Sequence, residues 1–183
     1  MFIIFREFFD CTFLDNSILC VETNKQANID VGYVDTVIKQ LYRIGTEIKL
    51  HYKYFNGKGG YNAPKLLKEI KNDIAALKGQ SLSEVIYCID TDKYDSDAEV
   101  EKLNRDIENF CRQNGYKFIW FCRDVEEVFL HKAVEDSKKK TEVAKFKKGN
   151  DLGKATEATL SARSMARKNS NMLLVLDQVL DRK

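Results

Sequence analysis

Three carboxylates in this sequence stand at or just beyond the ends of short apolar runs. Glu22 follows Ser17 to Val21 (SILCV), and Asp90 and Asp92 follow Glu84 to Ile89 (EVIYCI). A fourth, Glu126, lies just past Tyr116 to Phe121 (YKFIWF). Continuous apolar runs of this length read as buried central strands. In an open parallel α/β sheet, ligands bind outside the carboxyl ends of the strands. Carboxylates gathered there repel one another unless a cation compensates. Hard oxygen donors of this kind suit Mg²⁺ or Mn²⁺ rather than zinc. Alternate residues leaving a strand point the same way, so Asp90 and Asp92 are expected to reach one ion.

Each position also has a plainer use. A glutamate after a strand can be a solvated loop residue, and Asp90 and Asp92 can be turn formers. Glu126 and Glu127 fall in the first turn of a helix, where acids answer the helix dipole. The acidic loop continues through Asp95 and Asp97, but DTDKYDSD is a poor calcium loop because Asp95 stands where the sixth-position glycine belongs.

The elements that must position these groups alternate strand and helix, which predicts an α/β fold with a parallel sheet of about four strands and flanking helices. After Glu22 a helix is expected over 32–44, with Val34, Val37, Ile38, Leu41 and Ile44 on one face and Gly45 at its end. Residues 47–55 alternate, placing Ile48, Leu50, Tyr52 and Tyr54 on one side of a strand. The turn Asn56-Gly-Lys-Gly-Gly60 leads to a helix with Asn62 and Pro64 at its start and Leu66, Leu67, Ile70, Ile74 and Leu77 at helical spacing, closed by Gly79. Asp97 is expected to cap a third helix, buried through Val100, Leu103, Ile107, Phe110 and Cys111 and ended by Gly115. Asp124 opens a short helix with Glu127 at capping-box spacing. The lysine-rich 138–148 is expected to be a loop or a solvated helix. Two helical segments close the chain around Asn169-Ser-Asn171, and the second, 172–180, is apolar enough to dock.

With 183 residues, 44% of them hydrophobic and 32% charged, the chain is sized for one domain with a real core. The formal net charge of +2 excludes a basic nucleic-acid coat and an acidic tail. Charge is segregated, however. Residues 84–108 hold nine acids against three bases, and residues 138–154 hold seven lysines against two acids. A metal site that must also hold a polyanion is built this way. The five cysteines form no CxxC pair, which predicts buried free thiols rather than zinc or disulfides. Residues 1–16 are an apolar extension interrupted by Arg6, Glu7 and Asp10, expected to form an extra strand or a partner contact rather than a membrane span. The domain proper is expected over 17–183, in the cytoplasm.

The order of these segments resembles a TOPRIM domain: a glutamate ending the first strand, a helix, then Asp-x-Asp ending a later strand. Type IA and type II topoisomerases, bacterial primases and OLD-family nucleases share that fold. The sequence is most similar to the small RloB-like and OLD-like TOPRIM proteins of bacterial anti-phage systems, through SILCVET, FNGKGGYNAPKLLKEI, VIYCIDTD and RDVEEVFLH. Thr23 stands where many TOPRIM domains carry glycine. The resemblance spans roughly residues 17–180.

It implies a Mg²⁺-dependent nuclease, with Mn²⁺ as the alternative ion, and Glu22, Asp90, Asp92 and Glu126 as direct or water-mediated ligands. His131 takes the place of the family's histidine. Lys148 is the candidate for stabilising developing negative charge, with Lys147 and Lys154 close behind. Lys138, Lys139, Lys140, Lys145, Lys147 and Lys154, with the glycine turn 57–60, would hold a DNA or RNA backbone. There is no Walker A motif, so an ATPase partner that triggers or restrains the nuclease would come in trans; a homo-oligomer is also open. The competing expectation is a non-catalytic subunit that docks on an ATPase through 172–180. A metal-dependent nucleotide-binding domain ranks third.

Overall fold

The structure is a computed structural model. It describes residues 16–183 apart from 23, 27, 46–48, 77–82 and 150. The expectations for the extension before Asn16, and for Ile48, Leu77 and Gly79, fall outside the described residues.

The sheet has four strands: β1 (Asn16–Val21), β2 (Lys49–Tyr54), β3 (Ser83–Asp90) and β4 (Lys117–Phe121). Their order is β2-β1-β3-β4 and every neighbouring pair is parallel. The chain leaves β1 toward β2, then crosses back to β3 on the other side. The direction of winding therefore reverses between β1 and β3, the position where a crevice opens at the carboxyl ends of an open sheet. This is the Rossmann-like α/β arrangement that strand–helix alternation predicts.

Period-two alternation sorts the strand side chains into two layers. Leu19, Val21, Ile86, Cys88, Ile119 and Phe121 face one core. It is covered by α1 (Ile29–Leu41), α4 (Val125–Leu130), α5 (Asp136–Gly149) and the C-terminal segments α6 (Glu157–Leu160) and α7 (Met172–Leu176). Ile18, Cys20, Val85, Tyr87 and Ile89 face the other core, under α2 (Pro64–Ala76) and α3 (Ala98–Asn114). Cys20, Cys88, Cys111 and Cys122 are buried free thiols.

Local signals act where expected. The Asp97 carboxylate accepts from the backbone N–H groups of Glu99 and Val100, and Gly115 ends α3 at φ 70°. The Asp124 carboxylate accepts from the N–H of Glu127 at 2.7 Å. Two elements differ from expectation, and a third settles an alternative left open. Helix α1 begins at Ile29 rather than 32, which places Asp30 in its first turn. The lysine-rich stretch is the helix α5, anchored by buried Val143 and Phe146. It lies so close to α1 that a Cβ on Gly32 would come within 2.3 Å of Val143 Cγ2.

The C-terminal segment is also shorter as a helix than its apolar run, ending at Leu176, with Val179 and Leu180 buried beyond it. Apart from half-buried Leu174, its apolar side chains are consumed in this domain's own core. The Asn169-Ser-Asn171 stretch seals the outer edge of β4. The Asn171 side chain accepts from Trp120 N–H and donates to Phe118 C=O, both at 2.9 Å, and Cys122 N–H donates to Asn169 C=O at 3.0 Å. Covered edges resist unwanted pairing with other chains. No helix among the described residues is long and apolar enough to cross a membrane.

Candidate functional site

Strands β1 and β3 lie side by side, so Glu22 and Asp90 leave the sheet together at the winding reversal. The backbone N–H of Asp90 points to Glu22 Oε2 at 3.4 Å. Around this junction opens a cleft of about 340 Å³ lined by Glu22, Asp30, Asp90, Asp92 and Lys139, together with Asn24, Asn56 and Gly57. Three of the four carboxylates expected from the sequence thus share one cleft. Asp30, at the start of α1, joins them.

Thr91 fixes the Asp90-Thr-Asp92 segment. Its N–H donates to Phe121 C=O at 2.9 Å, its Oγ1 accepts from Arg123 N–H at 2.8 Å, and its carbonyl accepts from Asn104 Nδ2 at 3.0 Å. Asp92 N–H donates to Arg123 C=O at 2.7 Å. Asp92 is left-handed, at φ 48°. Strand alternation therefore stops at Asp90, and a turn rather than pleating brings Asp92 to the cleft. The other acids of this loop have structural duties: Asp95 pairs with Arg123 at 2.8 Å, Asp97 caps α3, and Glu101 pairs with Arg105 along α3.

The glycine turn after β2 delivers a cation. Phe55 N–H donates to Val21 C=O and Gly57 N–H to Glu22 C=O at 2.8 Å, continuing the pairing of β2 with the end of β1. Gly57 is at φ 93°, and a Cβ on Gly60 would lie 2.0 Å from Phe55 O, so the turn closes only with glycine at both places. Between them Lys58 is driven inward to 7% exposure and forms an ion pair with Asp92.

Glu126 is wholly buried in the first turn of α4, with Lys139 Nζ 3.3 Å from its Oε2. It does not line the cleft, but it is electrostatically part of the same cluster. Burial pushes the Asp90 carboxyl well above the usual range, and Asp30, Glu22, Glu126 and Asp124 add to the rise. Burial likewise raises Glu22 to about 7; Lys58 opposes this, while Asp92 and Asp30 reinforce it. Glu126 is raised to about 7 by burial, against the pull of Lys139. Burial alone would lower the Lys139 pKa, but Glu126, Asp90 and Asp124 together outweigh it and raise it.

The basic stretch divides. Lys139 lines the cleft, half-buried. Lys138 pairs with Glu135 and Lys145 with Glu142, both at 2.8 Å, on the exposed surface of α5. Lys140, Lys147, Lys148 and Lys154 are exposed. Lys148, expected to stabilise charge, sits in the last turn of α5 and does not line the cleft. His131 closes α4 at φ 56°. His51 lies 3.3 Å from Asp73, away from the cleft.

As placed, no three Asp, Glu, His or Cys side chains among the described residues form a ready-made metal group. The donor chemistry nevertheless suits a hard divalent ion. The acids are all oxygen donors, and Asp90 Oδ1 is buried without a hydrogen-bond partner. Burial, with the neighbouring acids adding to it, raises Glu22 and Asp90 toward protonation, which a cation would oppose. Lys58 and Lys139 already neutralise part of the acidic charge.

Sequence reasoning missed two members of this site, Asp30 and Lys58. Asp30 precedes the helix start expected at 32, whereas α1 begins at Ile29. Lys58 was visible only as the residue between glycines in Gly57-Lys-Gly-Gly60, a turn read for its backbone rather than its side chain. In comparisons with protein-family models, curated proteins and solved structures, nothing matches this chain.

Proposed function

We propose that this chain is a metal-dependent phosphodiesterase of the TOPRIM kind that cuts DNA or RNA. The observation that carries the proposal is the meeting of Glu22 and Asp90 at the winding reversal of a parallel sheet, with the buried oxygen Asp90 Oδ1 lacking a partner. Glu22, Asp90 and Asp92 would hold Mg²⁺ or Mn²⁺, with Glu126 contributing from α4 directly or through water. When bound, the ion supplies polarisation of a phosphoryl oxygen and activation of a water.

The chain's own groups do the rest. Lys139, which lines the cleft, and Lys58, which pairs with the cleft-lining Asp92, would meet charge that develops on a phosphate, in place of Lys148. Lys58 would exchange Asp92 for the substrate. The Gly57–Gly60 turn holds Lys58 in register with the end of β1. The exposed lysines of α5, with Lys154, add a salt-dependent attraction for the backbone. Control by an ATPase in trans, as in anti-phage systems, is part of the same proposal.

A second reading has one observation in its favour: the pairs Lys58–Asp92 and Lys139–Glu126 already compensate acids of the cluster, as a non-catalytic subunit would need. Such a subunit would need a docking surface other than 172–180, whose apolar side chains, apart from half-buried Leu174, are buried here. Cleavage assays separate the two. Supercoiled DNA, single-stranded DNA and tRNA are incubated with the protein in Mg²⁺ or Mn²⁺. The enzyme reading expects cleavage by the wild type, lost in Asp90→Ala and in EDTA. Cleavage that survives in Asp90→Ala contradicts it.

A further inference from the structure

Glu101, Asn104, Arg105 and Glu108 recur at the spacing of one face of α3. They form one wall of a cavity of about 310 Å³. Tyr94, from the loop after Asp92, and Met165, from the segment before Asn169, also line it. The cavity shares no lining residue with the carboxylate cleft.

Asn104 is the buried member of this stripe, 5% exposed. Its amide nitrogen is committed: Nδ2 donates to Thr91 C=O at 3.0 Å. Its Oδ1 is buried without a hydrogen-bond partner. A buried acceptor left unanswered costs free energy, which a donor brought into the cavity would recover. Around it the charge is negative, two carboxylates against one guanidinium. Arg105 is taken by Glu101 at 2.7 Å, and no basic side chain among the described residues pairs with the exposed Glu108. Tyr94 adds a half-buried ring whose hydroxyl accepts from the Cys122 thiol at 3.8 Å.

The ligand these groups suit carries N–H donors, a positive charge and a flat or aliphatic body. An ammonium is a point charge that answers one acceptor well. A guanidinium is a planar fork, and its separate edges can serve two acceptors. Asn104 and Glu108 stand one helical turn apart, about 5–6 Å between Cβ atoms, a span such a fork can bridge while an aromatic ring meets its face.

We infer that this cavity is a binding site for an alkylguanidinium group, coupled through Asn104 to the Asp90–Asp92 turn. The group can come from a free guanidine or from an arginine of a partner protein. The coupling path is short. Asn104 holds the carbonyl of Thr91, and the N–H of the same peptide unit belongs to Asp92 and donates to Arg123 C=O at 2.7 Å. Fixing the Asn104 amide from the cavity side steadies that peptide plane. The inference stands on the cavity's own residues, whether or not the cleft cuts nucleic acid.

The test is an NMR titration of the full chain, isotopically labelled and in EDTA, read at the Asn104 side-chain amide and the Asp92 backbone amide. The probes are agmatine as a free guanidine, N-acetylarginine methylamide as an arginine within a chain, and n-butylamine as an ammonium control. The proteins are wild type, Glu108→Gln, Tyr94→Leu and Asp106→Asn, the last an exposed acid on another face of α3. Wild type is expected to bind a guanidinium probe with a Kd on the order of 1 mM, as suits a ligand of this size, and to shift both amides. Glu108→Gln is expected to weaken binding about fivefold and Tyr94→Leu about threefold. Asp106→Asn is expected to bind as wild type does, and n-butylamine to bind about fivefold more weakly than agmatine.

Tighter binding of N-acetylarginine methylamide than of agmatine would assign the site to an arginine of a protein, and the reverse order to a free guanidine. No saturable binding of either guanidinium probe, or wild-type affinity in both Glu108→Gln and Tyr94→Leu, would overturn the site. Binding of n-butylamine as tight as that of agmatine would overturn the guanidinium assignment. Saturation that leaves the Asp92 amide unmoved would overturn the coupling.

Discussion

Glu22, at the end of β1, accepts a 3.4 Å hydrogen bond through Oε2 from the backbone N–H of Asp90, at the end of β3. This contact joins residues 68 positions apart. It exists because β1 and β3 are parallel neighbours whose connections leave in opposite directions. Two buried carboxylates that line one cleft, with Asp30 beside them, store a desolvation and electrostatic cost that a cation relieves.

That cost has a pH signature. Glu22 and Glu126 both rise from the ordinary 4.5 to about 7. Between those values the folded protein binds more protons than the unfolded chain, so stability falls as pH rises. Metal-free protein is therefore expected to lose thermal stability from about pH 4.5 to 7 and to level off above, apart from other titrations. Glu126→Gln is expected to flatten part of the fall. Thermal denaturation across this range checks it, and added Mg²⁺ is expected to reduce the loss at pH 8.

Lys58 is the cleft's internal counter-charge, and its partner Asp92 is half-exposed. Lys58→Gln is expected to destabilise metal-free protein by about 1 kcal/mol in urea, the scale of a partly exposed ion pair. The same change removes a positive charge from beside the acids. It is expected to tighten Mg²⁺ binding about fivefold in calorimetry, a step of about 1 kcal/mol.

Gly32 offers a test of packing against propensity. In an isolated helix, Gly→Ala stabilises by about 1 kcal/mol. Here the new Cβ would lie 2.3 Å from Val143 Cγ2, a branched side chain with little room to turn. Gly32→Ala is expected to destabilise by about 1–3 kcal/mol, as overpacking does, and Gly32→Ala/Val143→Ala to recover part of that loss. Denaturant midpoints for the two variants decide the sign.

Asn171 acts as a one-residue strand neighbour for β4, satisfying one donor and one acceptor. Asn171→Ala removes both bonds and is expected to cost about 2 kcal/mol, at about 1 kcal/mol for each. Hydrogen exchange at the Trp120 amide is expected to quicken in the variant.

Much of this architecture was written in the apolar runs. SILCV, EVIYCI and YKFIWF are strands because continuous apolar segments suit a sheet covered on both faces. Placing Glu22, Asp90 and Asp92 at strand ends needed only those boundaries. Lys58 was hidden because its inward path depends on Gly57 and Gly60 closing a turn against Phe55, which is tertiary geometry. Asp30 was hidden because α1 starts earlier than its apolar periodicity does; Asn28, of a type that favours caps, stands left-handed at φ 48° and makes no side-chain cap bond, its Oδ1 accepting instead from the Tyr54 hydroxyl. The choice of Lys139 over Lys148 is also tertiary. Val143 and Phe146 anchor α5 against α1, and this register brings Lys139 to Glu126.

The central claim is that this carboxylate edge holds a divalent ion. Calorimetric titration of Mg²⁺ and Mn²⁺ into wild type and into Asp90→Ala/Asp92→Ala tests it most directly, with circular dichroism confirming that both are folded. The account predicts saturable binding by the wild type that is lost in the variant. Equal binding by both proteins, or none by a folded wild type with or without oligonucleotide, would contradict it.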